Sequence, residues 1–358
     1  MSGSGVDRES LGELVDLEAL SSWLRVQGHG GKIGEVEPLA GGTQNVVVRM
    51  ELDGRQVVLR RPPPHPRPSS NRTMAREIAV LRGLAGTDVP HPGLIAGCED
   101  PDVLGVVFYL MEAVDGFNPG ETIAPAHAAD GSVRHGAALA VARAAARLGA
   151  VDPIAAGLES LRKPGSFLGR QVPQWTAHLE SYREFPDYEP GGLPDVAPVA
   201  RWLEENRPPD AAPGIMHGDF HLNNVLLDTV EPRVAAIIDW EMCTVGDPLL
   251  DLGWLLVTWS QEPAVMDVGG PFARAGGLPT RAELVEAYGS AGGREPVDVD
   301  WYTALAGFKL GIVLEGTKAR ASAGQAPAET GEKLHAHAKG LLAVAGRIAR
   351  GEWSVLDT

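Results

Sequence analysis

Three short segments hold most of the side chains able to do chemistry. They are Met216-His217-Gly218-Asp219-Phe220-His221-Leu222-Asn223-Asn224, then Ile237-Ile238-Asp239-Trp240-Glu241, then Gly246-Asp247-Pro248-Leu249-Leu250-Asp251-Leu252. The first sets an aspartate and, five residues on, an asparagine in a loop that runs into an apolar stretch. The second puts another carboxylate, Asp239, at the end of an apolar, strand-like run. Phosphoryl transfer asks for parts of this kind. One carboxylate accepts or orients the attacking hydroxyl, and further oxygen ligands hold Mg²⁺ against nucleotide phosphates. A second chemistry is open to the same stretch. His217, His221 and Cys243 carry zinc-type donor atoms, but their spacing is incomplete for a structural site. His217 also reads simply as a partner for the loop backbone.

These loops must be placed by regular elements. Leu11, Leu14, Leu17, Leu20 and Leu24 recur at helical spacing and predict an amphipathic first helix. From Ile33 to Arg61 the signals are strand-like: Val46-Val47-Val48 and Val57-Val58-Leu59 flank a hairpin turn at LDGR. A proline-rich loop, RPPPHPRPSS, excludes helix and central strand. A helix is predicted over 73–84 and a strand over 106–111. Beyond Val114-Asp115-Gly116 the apolar period becomes helical over 137–148, 168–182, 199–205, 281–288, 301–315 and 333–349. The β-rich stretch 215–240 interrupts it. The reading is an α+β chain, with a small β-rich part at residues 1–113 and a larger, mainly helical part at 114–358.

At 358 residues, with 44% apolar and 22% charged residues, the chain is long enough for two packed parts and too apolar for disorder. A net charge of -16 repels a phosphate backbone and excludes nucleic acid as an expected partner. The most apolar stretch, Pro248 to Trp259, carries Asp251 and is too short to span a bilayer. The acidic N-terminus lacks the apolar core of a signal peptide. The two cysteines, Cys98 and Cys243, lie far apart in sequence and give no disulfide framework. A cytoplasmic protein without a membrane partner is expected.

HGDFHLNN, IIDWE and GDPLLDL together resemble the aminoglycoside phosphotransferase and choline kinase family, whose fold is two-lobed and protein-kinase-like. The resemblance covers roughly residues 33 to 260. It implies Asp219 as catalytic base, Asn224 and Asp239 as Mg²⁺ ligands, and Asp247 and Asp251 as supports of the loop. It further implies that Gly41, Gly42 and Thr43 lie in the loop covering the phosphates. Arg60 then stands where the phosphate-binding lysine is expected, with Glu77 as its carboxylate partner. Met111 and Glu112 resemble the hinge that holds adenine. The implied reaction moves the γ-phosphate of ATP or GTP to a hydroxyl of a small molecule. VLRRPP, VFYLMEAVDG, FLGRQVPQW and FKLGIVLEG resemble one branch: kinase domains fused to certain acyl-CoA dehydrogenases, and their stand-alone bacterial relatives. That branch is associated with hydroxylated acyl chains.

Arg60 departs from the family pattern. Lys32 is the only lysine before Lys163, so Arg60 must hold phosphate in the first part or nothing does. Its planar fork suits bidentate contacts. The glycine loop is short, and no G-x-x-x-x-G-K-[ST] is present, which leaves the P-loop class unsupported. Two other readings stay open: a pseudokinase that binds nucleotide without turnover, and an aminoglycoside or macrolide phosphotransferase. Seven arginines between Arg55 and Arg82, against the single acid Glu77, read either as solvated surface or as a site for an anionic acceptor or a CoA tail. Arg170 and Gln171 serve equally as acceptor-site lining or helix packing. Trp254 and Trp259 read as core, while Trp175, Trp254 and Trp301 also offer walls for an apolar pocket. No motif names the acceptor, chooses between ATP and GTP, or sets an oligomeric state.

Overall fold

The computed structural model describes residues 15–39, 45–63, 65–259 and 265–357. Two compact units form. The first comprises residues up to Asp115, with Ala156–Leu158 and Ala236–Glu241; the second comprises the remainder.

The first unit opens with helix α1 (Leu17–Val26), capped by the Asp16 carboxylate on the Glu18 and Ala19 N–H groups. Five strands follow in an antiparallel sheet: β1 (Ile33–Pro38), β2 (Val46–Leu52), β3 (Arg55–Arg61), β4 (Leu94–Cys98) and β5 (Phe108–Glu112), in the order β1-β2-β3-β5-β4. Helix α2 (Ser70–Leu84) lies between β3 and β4 in sequence. The β2–β3 turn is Asp53-Gly54, both with positive φ (50° and 82°), the backbone that a two-residue hairpin with native twist requires. Asp53 then accepts the Gly31 and Lys32 N–H groups and ties the turn to the start of β1. Leu20 and Leu24 of α1 pack on Val48, Met50, Val57, Leu59, Phe108 and Leu110 in one core. Leu11 and Leu14, read as part of the same helix, lie outside the described residues.

Strand β4 carries no strand signal in the sequence, because Gly97 interrupts its short apolar run. A Cβ there would come 2.7 Å from Cγ2 of Ile78, so the glycine is what lets α2 lie against the sheet.

The second unit is mainly helical. It contains α3 (Pro125–Ala129), α4 (Gly131–Ala150), α5 (Gln171–Ser181), α6 (Ala197–Glu205), then the short strands β6 (Gly214–Met216) and β7 (Val225–Leu227). Strand β8 (Val234–Ile237) runs on into the Ala236–Glu241 segment of the first unit, which carries Asp239, and β9 (Thr244–Gly246) pairs with β6. Helices α7 (Leu249–Val257), α8 (Gly270–Arg274), α9 (Arg281–Gly289), α10 (Val299–Ser322) and α11 (Ala328–Ala349) complete it. Every residue of α7 is buried, Asp251 included. Gly253 allows the close approach of α10: a Cβ at that position would lie 2.5 Å from the Tyr302 carbonyl oxygen. The architecture is α+β, as the sequence predicts. Among the described residues no helix is long and apolar enough to cross a membrane.

Candidate active site

In the second unit, the turn after β6 carries the HGD motif. Gly218 has φ 87°, and a Cβ there would lie 2.4 Å from the Met242 carbonyl oxygen, so glycine is required twice over. Asp251 fixes this turn from α7. Its carboxylate accepts the N–H groups of His217 (2.6 Å) and Gly218 (2.9 Å), and all three residues are buried. Burial raises the Asp251 pKa; His217, the two backbone donors and Lys309 pull it back.

Asp219 follows, half-exposed, with both oxygens engaged. Oδ2 accepts the Asn224 side-chain amide at 3.0 Å, and Oδ1 lies 3.3 Å from Nε2 of His221. Nδ1 of His221 accepts the Asn223 N–H at 3.2 Å, which leaves Nε2 as the ring nitrogen that donates toward Asp219. Nδ1 of His217 accepts the Asp219 N–H at 3.3 Å. Burial alone would raise the Asp219 pKa, but His221, His217 and the Asn224 amide outweigh it and hold the carboxyl well below the usual carboxylate range. Asp219 is therefore an anion at neutral pH. The Asn224 nitrogen is spent on Asp219, on its backbone carbonyl (2.8 Å) as well as its side chain, which leaves the amide oxygen as the group Asn224 can offer a ligand.

Asp247 has a different task. It accepts Arg294 Nη1, the Tyr302 hydroxyl (2.9 Å) and the Leu249 N–H (3.2 Å), binding the entry of α7 to α10 and to Arg294.

In the first unit, Arg60 on β3 is the centre of a buried charge cluster. Its Nε lies 3.1 Å from Oε2 of Glu77, and its Nη2 donates to Oδ1 of Asp239 at 2.6 Å. Glu77, on α2, has no solvent exposure and also accepts the Tyr109 hydroxyl at 2.7 Å. Tyr109 lies on β5 directly across from Arg60 in the sheet register. Burial would lower the Arg60 pKa, but Glu77, Tyr109 and Asp239 more than reverse this and raise it. Burial pushes the Glu77 carboxyl up, while Arg60 and Tyr109 pull it down. Asp239 has φ 65°, a left-handed backbone that aspartate tolerates better than most residues. Among the described residues only its Oδ1 is engaged, which leaves Oδ2 as a hard oxygen donor.

The other expected site residues fall as follows. Met111 and Glu112 end β5, and both are paired on each side: Met111 with Val58 and Leu94, Glu112 with Val57 and, through its N–H, with the Gly93 carbonyl. Gly41, Gly42 and Thr43 lie outside the described residues. Among the arginines from Arg55 to Arg82, Arg60 is tied to two carboxylates and Arg61 is buried on the Pro62 carbonyl, while Arg55, Arg72 and Arg82 face solvent. Among the described residues no three His, Cys, Asp or Glu side chains converge on a metal-sized site. Sequence reasoning missed His221 as the orienting partner of Asp219 and Tyr109 as the second partner of Glu77. Neither position has a signal beyond its residue type.

Two outcomes follow from this geometry. Asp251→Ala leaves two buried N–H groups without an acceptor and is expected to cost about 2–3 kcal/mol in urea unfolding. Unchanged stability would show that the loop is held by something else. Arg60→Ala strands the buried Glu77 and is expected to cost about 3–5 kcal/mol, while the double variant Arg60→Ala/Glu77→Ala costs less than the sum of the two single ones. Additive single-variant effects would show that the pair is not coupled.

Comparison with known proteins places this arrangement. The sequence pattern described as "Phosphotransferase enzyme family" matches residues 35–298. Acyl-CoA dehydrogenase family member 10 of Mus musculus is 29% identical over 297 residues, covering 82% of this chain and 27% of that protein. Acyl-CoA dehydrogenase family member 11 of Gallus gallus is 28% identical over 306 residues, covering 84% of this chain and 38% of that protein. The chain thus spans well under half the length of these relatives. Among solved structures, a candidate aminoglycoside phosphotransferase from Ralstonia eutropha JMP134 superposes with a TM-score of 0.77 at 28% identity, over 95% of this chain and 100% of the other. The aminoglycoside phosphotransferase APH(4)-Ia, in complex with ADP and hygromycin B, shares the fold at a TM-score of 0.60 and 16% identity, over 94% of this chain and 99% of the other. The chain belongs to the phosphotransferase enzyme family and shares the α+β fold of the aminoglycoside phosphotransferases.

Proposed function

We propose that the chain transfers the γ-phosphate of ATP or GTP to a hydroxyl of a small molecule. The observation that carries this reading is the Asp219 carboxylate, kept ionised by its neighbours and aimed by His221 and Asn224 in a loop anchored from below. The acceptor oxygen attacks the γ-phosphorus, the bond to the bridging oxygen breaks, and the nucleoside diphosphate leaves. The hydroxyl proton passes to Asp219. A carboxylate with so low a pKa is a weak base, so it serves mainly to orient the hydroxyl and takes the proton late, as the oxygen acquires charge. Arg60 is the cation proposed for the phosphates.

Mg²⁺ fits the donor chemistry at hand. The Asn224 amide oxygen and Oδ2 of Asp239 are hard oxygens, and Mg²⁺ commonly takes one or two protein ligands with phosphate and water completing its shell. When bound, it would neutralise charge on the phosphates.

The proposed acceptor is a hydroxyacyl compound. Two findings support it: the acyl-CoA dehydrogenase relatives match over 82% and 84% of this chain, and the helical unit offers indole surface at Trp175. The exposed arginines Arg55, Arg72 and Arg82 add little to this reading, since ordinary solvation accounts for them.

Asp219→Asn is expected to keep the fold and nucleotide affinity while phosphoryl transfer, read by mass spectrometry of the product, falls by about two orders of magnitude or more. Near-normal turnover would remove Asp219 from the reaction. Asp239→Ala is expected to abolish the Mg²⁺-dependent part of nucleotide binding in titration calorimetry. Equal affinity with and without the substitution would assign the metal elsewhere.

A further inference from the structure

Lys309, in the middle of α10, is 8% exposed. Among the described residues its ammonium makes no hydrogen bond and no ion pair. Its surroundings are two indole faces. Nζ lies 4.8 Å from the ring centroid of Trp254 on α7 and 5.5 Å from that of Trp175 on α5. Trp254 is 4% exposed and belongs to the core, whereas Trp175 is only partly buried, so its side is the less enclosed one. Gln171 holds the Trp175 edge in place, accepting from Nε1 at 3.3 Å while its own amide donates to the Phe167 carbonyl. Three motif fragments from the sequence meet here: Gln171 and Trp175 of FLGRQVPQW, Lys309 of FKLGIVLEG, and Trp254 next to GDPLLDL.

An ammonium in this position is incomplete. Indole faces recover part of the lost hydration, about 0.5–2 kcal/mol each, but they accept none of its three N–H bonds. Desolvation of a charged amine costs considerably more than that. An oxygen anion arriving through the less enclosed side would satisfy the donors. The location is also specific. Trp254 lies one turn from Asp251 on α7, and Asp251 holds the backbone of the turn that carries Asp219. Burial lowers the Lys309 pKa and Asp251 and Asp219 offset this only in part, so an arriving anion would favour the charged form further.

We propose that Lys309, caged by Trp175 and Trp254, binds an anionic group of the acceptor and makes this enzyme select anionic hydroxyl compounds over neutral or cationic ones. The inference rests on the phosphoryl-transfer reading above and deepens it. The indole walls suit an apolar chain between the hydroxyl and the anion. A polycationic acceptor would meet the Lys309 amine and suppress its charged form, where an anion would favour it. A purely structural Lys309, acting as counter-ion to Asp251 and Asp219, is the competing account.

The test uses ω-hydroxyhexanoate, its methyl ester and aminohexanol, which share a terminal hydroxyl and chain length and differ in charge. Binding is read by tryptophan fluorescence and by Tm, and transfer by nucleotide-dependent mass gain. Hydroxyhexanoate is expected to bind about tenfold or more tightly than either analogue. Lys309→Met should remove that preference, with the loss falling on KM rather than kcat, and Lys309→Arg should restore part of it. The free Lys309→Met protein should have an unchanged or higher Tm, because an incompletely partnered buried charge is gone. Four results would overturn the proposal: equal binding of the three probes, equal binding by Lys309→Met, weaker binding of Mg-ATP alone in that variant, or a lower Tm with kcat reduced alike on every acceptor. Lys309-dependent binding of hydroxyhexanoate with no gain of phosphate would uphold the anion site and refute phosphoryl transfer to this class. Transfer to all three probes alike would do the reverse.

Discussion

A carboxylate buried in the most apolar helix of the chain sets the second unit's chemistry. Asp251 is 3% exposed among leucines and tryptophans, and a charge there is tolerable only if donors meet it. The donors are two consecutive backbone N–H groups, His217 and Gly218. Because a main chain satisfies the charge, its conformation is no longer free: the turn must have the left-handed Gly218, and the next side chain must be Asp219 pointing outward. His221 and Asn224 then have one place to go. The rest of the unit serves that helix. Asp247 ties its entry to Tyr302 and Arg294, and Gly253 brings α10 close enough to place Lys309 on Trp254.

The first unit applies the same constraint to another buried carboxylate. Glu77 is the fully buried charge, and its partners come from two strands: Arg60 on β3 and Tyr109 on β5. Since these strands are register neighbours, satisfying Glu77 fixes α2 against the sheet at one rotation. Arg60 has donors left after Glu77, and Asp239 takes one of them. The arrangement is high in electrostatic cost and therefore intolerant of partial removal, since a lone buried member keeps its desolvation penalty and loses its compensation.

This explains what could be read in the sequence. Hairpin β2–β3 was legible because DG is the turn its backbone needs, and helix α2 because its apolar residues recur at helical spacing. The HGDxxxxN spacing was legible because Asp219 and Asn224 meet across a single loop. Strand β4 was not, since Gly97 answers to the distance from Ile78, a tertiary fact without a local trace. The roles of Tyr109 and Lys309 were hidden for the same reason. Tyr109 looks like any aromatic in a strand, and Lys309 looks like a lysine in a helix, until their neighbours 32 residues and more away are known.

Arg60 and Lys309 could not exchange places, and the reason separates their tasks. Arg60 answers two carboxylates in different directions at once, from Nε and from Nη2, which one ammonium cannot do. Arginine is also the weaker loss on burial, being less strongly hydrated, and keeps its charge at any pH the protein meets. Among the described residues Lys309 makes no hydrogen bond, and two rings crowd it. A guanidinium there would be the cheaper charge to bury and would stack on either indole. A lysine in that position makes sense where a compact, strongly directed positive charge is wanted for a partner that comes and goes. The chain thus uses arginine where two carboxylates must be answered at once and lysine where two indoles flank the charge.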